Sequence, residues 1–496
     1  MTVSSSIARI QSFAFAGIDA IPVTVEIQIA SGLPAFVIVG LPDKTVGEAR
    51  ERVRAALGAL GLALPPKRIL INLVPADLPK EGSHFDLPIA LAIMTAMGTL
   101  THEAISAYAA IGELSLDGRL QATGGVLSAA LETIGLQLGL ICPAPQAQEA
   151  RWASDALDIL APQSLRALLG HFNGDHVLPA PELERVPPTP QGADLSAIKG
   201  LDMGRRALEI TAAGGHSLLM SGPPGAGKSM LAQCLPSILP DLTHEQILEC
   251  SRIHSLGGQA AGSTLITEPP FRAPHHSTTL PALVGGGARS RPGEVSLAHN
   301  GVLFLDELPE FSRACLESLR QPLETGVITV ARARQTVLYP SRFQFIAAMN
   351  PCRCGYLGDA ERACRKAPQC GEEYKARLSG PMLDRLDLSL FVTPVSPLDM
   401  ITAPSGERSA VVRARVVAAR ARQIARQGVS NAQVSALDIA LSADARALVS
   451  EAGTKLRLSA RGLTRLLRVA RSIADLDQAN DVEAPHLREA LGFRLR

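Results

Sequence analysis

Aromatic residues are scarce in this sequence: Phe, Trp and Tyr make up 3% of its 496 residues, and there is a single Trp. This scarcity argues against a single-strand-binding platform of the OB or RRM type, on which bases stack against aromatic side chains. An excess of charge is also lacking, because the formal net charge is +1. No overall field therefore attracts a polyanion, and any contact with nucleic acid must come from local basic patches.

Long apolar runs and secretion signals are lacking too. The longest nearly uninterrupted apolar stretch, residues 87–100, contains Pro88 and Gly98 and is too short to span a membrane. The first residues show neither the basic start nor the apolar core of a signal peptide. Eight cysteines in so long a chain do not suggest a secreted disulfide framework. We expect a soluble, cytoplasmic protein of roughly two to four domains, with no membrane partner.

A glycine-rich segment is the most informative feature that is present. Residues 222–229 read GPPGAGKS, which fits G-x-x-x-x-G-K-[ST] between a short apolar strand and a helix. Glycines let the turn direct backbone N–H groups at phosphates, Lys228 would reach the β- and γ-phosphates, and the Ser229 hydroxyl would bind Mg²⁺. The candidate nucleotide-binding residues are Gly222, Pro223, Pro224, Gly225, Ala226, Gly227, Lys228, Ser229 and Asp306.

A second motif follows at residues 302–307, VLFLDE, an apolar strand that ends in two carboxylates. Asp306 at its end would hold Mg²⁺ together with Ser229, and Glu307 would orient or deprotonate the attacking water. A glycine-rich turn beside an unrelated strand is the alternative. The two motifs in this order favour an enzyme that hydrolyses ATP.

Further segments surround these motifs, at residues 194–200, 271–276, 285–287, 291–301, 343–350 and 379–387. The ordered set resembles AAA+ ATPases of the magnesium-chelatase-like group, and with the N-terminal segment included it resembles the ComM (YifB) family over essentially the whole length. The resemblance implies that Asn350 is the sensor-1 residue and that Arg385 is an arginine finger that reaches a neighbouring subunit's nucleotide. It also implies that Arg461 is the sensor-2 arginine of the lid, acting on its own or on a neighbour's nucleotide. The alternative for both arginines is a surface ion pair.

The same resemblance implies an α/β fold of three parts. Residues 1–172 would form a Lon-protease-like α+β domain, in which strands are expected at 35–39 and 68–74, and residues 173–192 a proline-rich linker. Residues 193–400 would form the AAA+ core, a doubly wound parallel sheet with inserts, and residues 401–496 a helical lid. A finger supplied by a neighbour implies a ring, here a homo-hexamer.

The Lon-like stretches lack the Ser–Lys dyad that such proteases use. The position of the serine nucleophile is occupied by His84, with Ser83 one residue earlier, and that of the lysine by Leu127. An aliphatic side chain cannot accept a proton, so proteolysis is not expected. Lys80 with Ser83 is the one local pair that remains. Assembly or DNA handling is the more plausible role of the domain.

Contacts with DNA are expected on inserts in the core. Residues 325–340 read as two strands around a turn near Ala333, and Arg332 and Arg334 would share one face of this hairpin. The resemblance places the hairpin in the central channel of the ring, and it places Arg272 in a second insert. An ordinary solvated hairpin is the alternative. The arginine-rich helix at 408–426 suggests a solvated face, or else a surface that follows phosphates.

Clustered cysteines could hold a metal. Cys352, Cys354, Cys364 and Cys370 lie within nineteen residues, enough thiols for a structural zinc ion, although the C-x-C pair is tighter than usual. Thiols in a loop are the alternative. Cys142, Cys234, Cys250 and Cys315 are expected in the core. His275 and His276 are expected to point apart and to belong to loop structure rather than to a metal site.

The leading hypothesis is therefore a hexameric ATPase with ATP and Mg²⁺ as cofactors, acting on single-stranded or branched DNA. The ComM resemblance implies a helicase for branch migration in recombination and natural transformation. A magnesium-chelatase-type ATPase subunit, driving metal insertion or remodelling a protein partner, is the alternative. The N-terminal domain argues against the chelatase subunit, and Leu127 argues against a protease.

Overall fold

A computed structural model describes residues 7–182, 192–257, 265–286, 291–331, 336–357 and 365–494. Within these ranges the chain forms an N-terminal α/β domain, an α/β core and a C-terminal group of helices. Residues 183–191, part of the expected proline-rich linker, lie outside the described residues.

The N-terminal domain is built on a mixed sheet. Its described strands have the order β3-β4-β2-β1-β5-β8-β9, antiparallel among β4, β2 and β1 and parallel elsewhere. The almost wholly buried helix α2 packs against β1 and β2. The elements are β1 (Ala8–Ala16), β2 (Asp19–Ala30), β3 (Ala35–Val39), α1 (Lys44–Ala59), β4 (Arg68–Val74), α2 (Asp86–Ala96), α3 (His102–Ser106), β5 (Tyr108–Ala110), β6 (Glu113–Leu114), β7 (Leu120–Gln121), α4 (Val126–Gly135), β8 (Gly139–Ile141), α5 (Ala147–Arg151), β9 (Ile159–Leu160) and α6 (Leu165–Phe172).

The core contains a parallel sheet whose described strands have the order β11-β12-β15-β10-β16. Strands buried on both faces need continuous apolar runs, and Val302–Leu305 is buried throughout. The elements are α7 (Asp202–Gly214), β10 (Leu218–Ser221), α8 (Lys228–Cys234), α9 (His244–Leu256), β11 (Phe271–Arg272), α10 (Leu280–Val284), α11 (Glu294–Leu297), β12 (Val302–Leu305), α12 (Arg313–Ser318), α13 (Arg320–Thr325), β13 (Val327–Ala331), β14 (Thr336–Pro340), β15 (Gln344–Met349), α14 (Gln369–Lys375), α15 (Gly380–Leu383) and β16 (Leu388–Phe391).

The hairpin expected before β15 is present as a separate antiparallel pair. β13 and β14 pair from Val327 with Pro340 to Ala331 with Thr336. The two strands are confirmed. The turn, with Arg332 and Arg334, lies outside the described residues.

The C-terminal helices share their apolar core with the parallel sheet. α17 and α19 both pack against α7, and their buried side chains join the cluster that includes the strand residues Leu218 and Ile346. The helical nature of this region is confirmed. The elements are α16 (Pro397–Thr402), α17 (Ser409–Gln427), α18 (Ala443–Lys455), α19 (Ala460–Leu476) and α20 (Ala484–Gly492).

The N-terminal domain rests on α9 of the core. Arg252 of α9 donates to the carbonyl oxygen of Ile18 at 2.7 Å and pairs with Asp19 at 2.8 Å. Ser255, one turn further, donates to Glu149 at 2.5 Å and accepts from the backbone of Gly125 at 3.0 Å. Buried and charge-assisted hydrogen bonds of this kind join the two regions.

Candidate nucleotide site

Three neighbouring parallel strands bring the sequence motifs to one edge of the core sheet. The glycine-rich loop follows β10, Asp306 follows β12, and Asn350 follows β15, which lies between them. The carboxyl ends of parallel strands share an edge, and ligands of α/β proteins bind there. The structure therefore brings together residues that are far apart in sequence.

The glycine-rich loop, which we call the P-loop, needs glycine for two reasons. Gly225 and Gly227 have φ of +76° and +89°, a left-handed conformation that other residues rarely adopt. A Cβ on Gly225 would meet nothing within 4 Å, so conformation alone requires glycine there. At Gly222 a Cβ would lie 2.3 Å from the carbonyl oxygen of Val392, so close packing requires it.

Lys228 lies at the centre of the site and is 8% exposed. Its Nζ donates to the carbonyl oxygens of Gly222 and Pro223 at 2.7 and 2.9 Å, and to Oδ1 of Asn350 at 3.1 Å. Burial lowers the pKa of Lys228, while the charges of Asp306 and Glu307 oppose that shift. A buried cation satisfied by neutral acceptors is suited to exchange them for phosphate oxygens.

Ser229 and Asp306 form an oxygen pair beside this lysine. The Ser229 hydroxyl donates to Oδ2 of Asp306 at 2.7 Å, and Oδ1 of Asp306 accepts from the backbone N–H of Glu307 at 2.9 Å. Hydroxyl and carboxylate oxygens are hard ligands of the kind that Mg²⁺ takes with substrate phosphates. The donor set therefore fits a magnesium–nucleotide complex.

Glu307 has a partner that the sequence analysis missed. Its backbone is left-handed, with φ of +52°, and Oε2 lies 3.3 Å from Nδ1 of His276. His276 comes after β11, the strand next to β12, and that position was the available signal. The expectation that His275 and His276 point apart is wrong, since their ring centroids are 4.0 Å apart. Alternation holds only in extended strands, and β11 ends at Arg272.

Arg385 lies at the opposite edge of the same sheet. Its carbonyl oxygen accepts from the Ser217 hydroxyl at 2.7 Å, just before β10 begins, whereas the P-loop follows the end of β10. At ~3.3 Å per residue, the four-residue strand separates the two positions by about 13 Å. The candidate site residues are therefore split between two edges, with Lys228, Asp306, Glu307 and Asn350 at one edge and Arg385 at the other.

The Arg385 side chain is bound within its own chain. It forms an ion pair with Glu324 and donates to the carbonyl oxygen of Pro381. Burial, followed by the charges of Arg320 and Arg461, lowers the pKa of Arg385. The ion pair that was the alternative for Arg385 is thus what this structure contains.

A lid arginine that the sequence analysis missed supports the same turn. Arg465 in α19 donates to the carbonyl oxygens of Leu383 and Leu386 at 3.2 and 2.7 Å and pairs with Asp384 at 3.2 Å. It lies one helical turn after Arg461, and that spacing was the only signal. The lid therefore holds the segment that carries Arg385.

Arg272, one of the arginines considered for DNA contact, has a partner within the chain. Arg272 forms an ion pair with Glu294 through two hydrogen bonds, at 2.6 and 2.8 Å, which neutralises its charge and argues against a DNA contact.

Several arginines of the helix α17 also bind partners within the chain. Arg415 binds Glu209, Arg426 binds Asp475, and Arg420 donates to a backbone carbonyl of α7. The side chains of Arg415 and Arg426 are still 39% and 36% exposed, so the helix keeps a solvated face, while the ion pairs argue against a phosphate-following role for these arginines.

The cysteine cluster is partly described. The sulfur atoms of Cys352, Cys354 and Cys370 lie within 4.8 Å of one another, and Cys364 lies outside the described residues. The four cysteines expected in the core are confirmed as buried.

The protease-like positions of the N-terminal domain are closed. Leu127 is fully buried, and its N–H donates to Glu149 at 3.2 Å, the carboxylate that also binds Ser255 of the core. His84 is buried against the carbonyl of Phe13 at 2.8 Å, and burial lowers its pKa to about 4.

The remaining local pair is also engaged elsewhere. Lys80 donates to the carbonyl oxygen of Pro75, and burial lowers its pKa. Ser83 donates to Glu113. The two side chains therefore serve separate partners rather than each other, which does not favour a Ser–Lys dyad.

Comparison with known proteins places this geometry in context. The family model described as "Magnesium chelatase, subunit ChlI" matches residues 194–400, its C-terminal model matches 406–494, and "Subunit ChlI of Mg-chelatase" matches 25–145. The uncharacterized protein YifB of Escherichia coli is 44% identical over 495 residues, 99% of this chain and 97% of that protein. The competence protein ComM of Haemophilus influenzae is 43% identical over 500 residues, with the same two shares. The magnesium-chelatase 38 kDa subunit of Rhodobacter capsulatus is 24% identical over 351 residues, 63% of this chain and 92% of that subunit.

Among the described residues, no helix has both the length and the apolar character needed to cross a membrane.

Proposed function

Because the chain belongs to the ComM/YifB family of magnesium-chelatase-like AAA+ ATPases, we propose that it is an ATP-driven DNA motor. In this proposal six copies form a cytoplasmic ring that moves branched or single-stranded DNA during homologous recombination and natural transformation. The relative named as a competence protein supports the biological setting. The family itself implies ATP and Mg²⁺.

The site at the carboxyl edge of the sheet would carry out the hydrolysis. Ser229 and Asp306 would hold Mg²⁺, which when bound would supply positive charge for phosphoryl transfer. Lys228 would give up its bonds to Gly222 and Pro223 for the phosphates. Glu307 would accept the proton of the attacking water, and Asn350, already within 3.1 Å of Lys228, would orient that water.

The separation of Arg385 from the P-loop is the observation that carries the oligomeric part of the proposal. A guanidinium at the amino edge of the sheet cannot serve the nucleotide at the carboxyl edge of the same chain. It can serve a neighbour whose carboxyl edge faces it, as a ring arrangement provides. Arg465, one turn after Arg461 in α19, binds the turn that carries Arg385, which favours action on the neighbour's nucleotide for the sensor-2 residue as well.

A short link joins this finger to the hairpin proposed to contact DNA. Glu324, the partner of Arg385, lies in the last turn of α13, and β13 begins three residues later. Release of Arg385 toward a neighbour would free Glu324 at the base of the hairpin. DNA held by Arg332 and Arg334 at the hairpin tip would act on the same link, and we expect DNA to stimulate turnover.

The experiment is ATP turnover measured with and without forked or three-stranded DNA. We expect stimulation by DNA and strand displacement that falls steeply with salt, since contacts to phosphate release counterions. The variant is Lys228→Ala, and the matched control is Lys455→Ala on the exposed lid helix α18. If the Lys228→Ala variant unwound DNA at the rate of the unsubstituted protein, the proposal would be excluded.

A chelatase-type role is the second candidate, because the Rhodobacter subunit matches across most of its own length. In that case turnover would respond to a protein partner and not to DNA. The same assay separates the two candidates. ATP turnover is measured with forked DNA, with buffer alone and with candidate partner proteins.

A further inference from the structure

The three thiols of this cluster lie near Asn350, the residue that follows β15. Cys352 is fully buried two residues after Asn350, Cys354 is exposed, and Cys370 lies in the first turn of α14. The sulfur atoms of Cys352 and Cys354 are 3.1 Å apart, and all three sulfurs lie within 4.8 Å of one another. In tetrahedral zinc with Zn–S bonds of ~2.3 Å, sulfur atoms are about 3.8 Å apart. The Cys352–Cys354 pair is closer than this, and an increase of about 0.7 Å in its separation would let the three sulfur atoms bind one ion.

Packing brings the two arms of the cluster together without the metal. A Cβ on Gly371, the residue after Cys370, would lie 3.2 Å from the carbonyl oxygen of Pro351, the residue before Cys352. The backbone N–H of Gly355 donates to the carbonyl oxygen of Cys352 at 2.9 Å, which closes a tight turn around Cys354.

Two contacts tie this loop to the P-loop. On one side of the cysteines, Asn350 accepts from Lys228 at 3.1 Å. On the other side, Gly355 packs directly against Pro224, so closely that a Cβ on Gly355 would lie 2.6 Å from the proline ring. The loop therefore touches the P-loop at both ends of the C-x-C segment.

We propose that Cys352, Cys354 and Cys370 bind one structural zinc ion, which holds the loop after β15 against the P-loop. We assign the metal no part in phosphoryl transfer, because its ligands are thiolates, whereas the proposed Mg²⁺ site uses the oxygen atoms of Ser229 and Asp306. Its effect is to keep Asn350 and Gly355 in place against Lys228 and Pro224. The proposal that zinc supports the P-loop rests on the proposed nucleotide site, whereas the proposal that zinc binds does not.

Metal content tests the binding. Full-length protein purified under reducing conditions with zinc supplied should contain one zinc per chain by elemental analysis. Cys352→Ser/Cys370→Ser should contain none, and Cys142→Ala, a buried thiol of the N-terminal domain, should keep the metal. Replacement by Co²⁺ should give the visible absorption of thiolate-bound cobalt. Protein without zinc, or with a Cys352–Cys354 disulfide in its place, would overturn the proposal.

Nucleotide affinity tests the bracing on the unsubstituted chain, so that a variant that fails to fold does not obscure it. Removal of zinc by a chelator should weaken binding of a fluorescent ATP analogue by about tenfold, the scale seen when groups that support a site are lost, and added zinc should restore it. Gly355→Ala should bind nucleotide more weakly, with Gly428→Ala as the control, because Gly428 has a φ of +72° and a Cβ there would meet nothing within 4 Å. Equal nucleotide affinity with and without zinc would overturn the proposal that zinc supports the P-loop. Zinc binding would still be tested by metal content, and the proposed DNA motor by DNA-stimulated turnover.

Discussion

The sequence predicts a nucleotide site in the core and a protease-like site without its catalytic dyad in the N-terminal domain, and the two regions differ in the side chains at the corresponding positions. In the core, Lys228, Asp306 and Asn350 converge at the edge of a parallel sheet. In the N-terminal domain, the position of a catalytic lysine is Leu127, buried beside the carboxylate that binds Ser255 of the core. A site needs both reactive groups and access, and only the core has both.

The buried polar groups of the N-terminal domain serve docking instead. Glu149 is 1% exposed and accepts from Ser255 of the core and from the backbone of Leu127. The backbone N–H of Gly125 donates to the Ser255 hydroxyl at 3.0 Å, and a Cβ on the neighbouring Gly124 would lie 3.3 Å from the carbonyl oxygen of Ser255. The turn that resembles a protease motif thus fits α9 closely, which explains its sequence without catalysis.

The largest expected effect would test the two-edge arrangement of the core. Arg385→Ala should reduce ATP turnover by ~10³–10⁵-fold, as is typical for arginine fingers, while nucleotide binding is kept. Mixing it with Lys228→Ala chains should restore turnover, because each chain then supplies what its neighbour lacks. Arg446→Ala, an exposed lid arginine, is the control. Failure of the mixture to recover would mean that Arg385 does not act between chains.

The next effect concerns the carboxylate beside His276. Glu307→Gln removes the base but keeps the shape, and turnover should fall by about 10²–10⁴-fold. Binding of a fluorescent ATP analogue should be unchanged, since Lys228 and Ser229 remain. Glu451→Gln on α18 serves as the matched exposed control. A parallel loss of nucleotide binding would assign Glu307 to binding rather than to the water.

The docking interpretation of the N-terminal domain predicts a smaller effect on stability. Ser255→Ala leaves the buried Glu149 without one donor, and the free energy of unfolding should fall by about 1–3 kcal/mol. Urea denaturation followed by fluorescence measures it, with Ser450→Ala as a control that should change stability by less than about 0.5 kcal/mol. Equal behaviour of the two variants would show that α9 does not depend on this contact.

The smallest expected effect is on proteolysis. The protein should not degrade labelled casein, with or without ATP, and Ser83→Ala should leave every measured rate unchanged. The reason is that Lys80 and Ser83 bind Pro75 and Glu113 instead of each other. Casein cleavage that Ser83→Ala abolishes would remove the contrast between the two regions.

Local patterns were enough for several elements. The strands expected at 35–39 and 68–74 match β3 and β4, and the hairpin before β15 is present. The P-loop could be predicted as well, because consecutive residues specify a turn that only glycine permits at Gly225 and Gly227. Hydrophobic runs and turn residues extend over a few consecutive positions, so the sequence alone predicts these elements.

Only the tertiary structure decided which distant groups meet. His276 reaches Glu307 because β11 lies beside β12, Arg385 is kept from its own P-loop by the length of β10, and Ser255 meets Glu149 because α9 supports the N-terminal domain. Arg272, a candidate DNA contact by sequence, forms an ion pair with Glu294. The sequence by itself determined the chemical groups and the local turns, whereas the order of strands and the packing of helices determined their partners, because those contacts depend on burial shared by segments far apart in the chain.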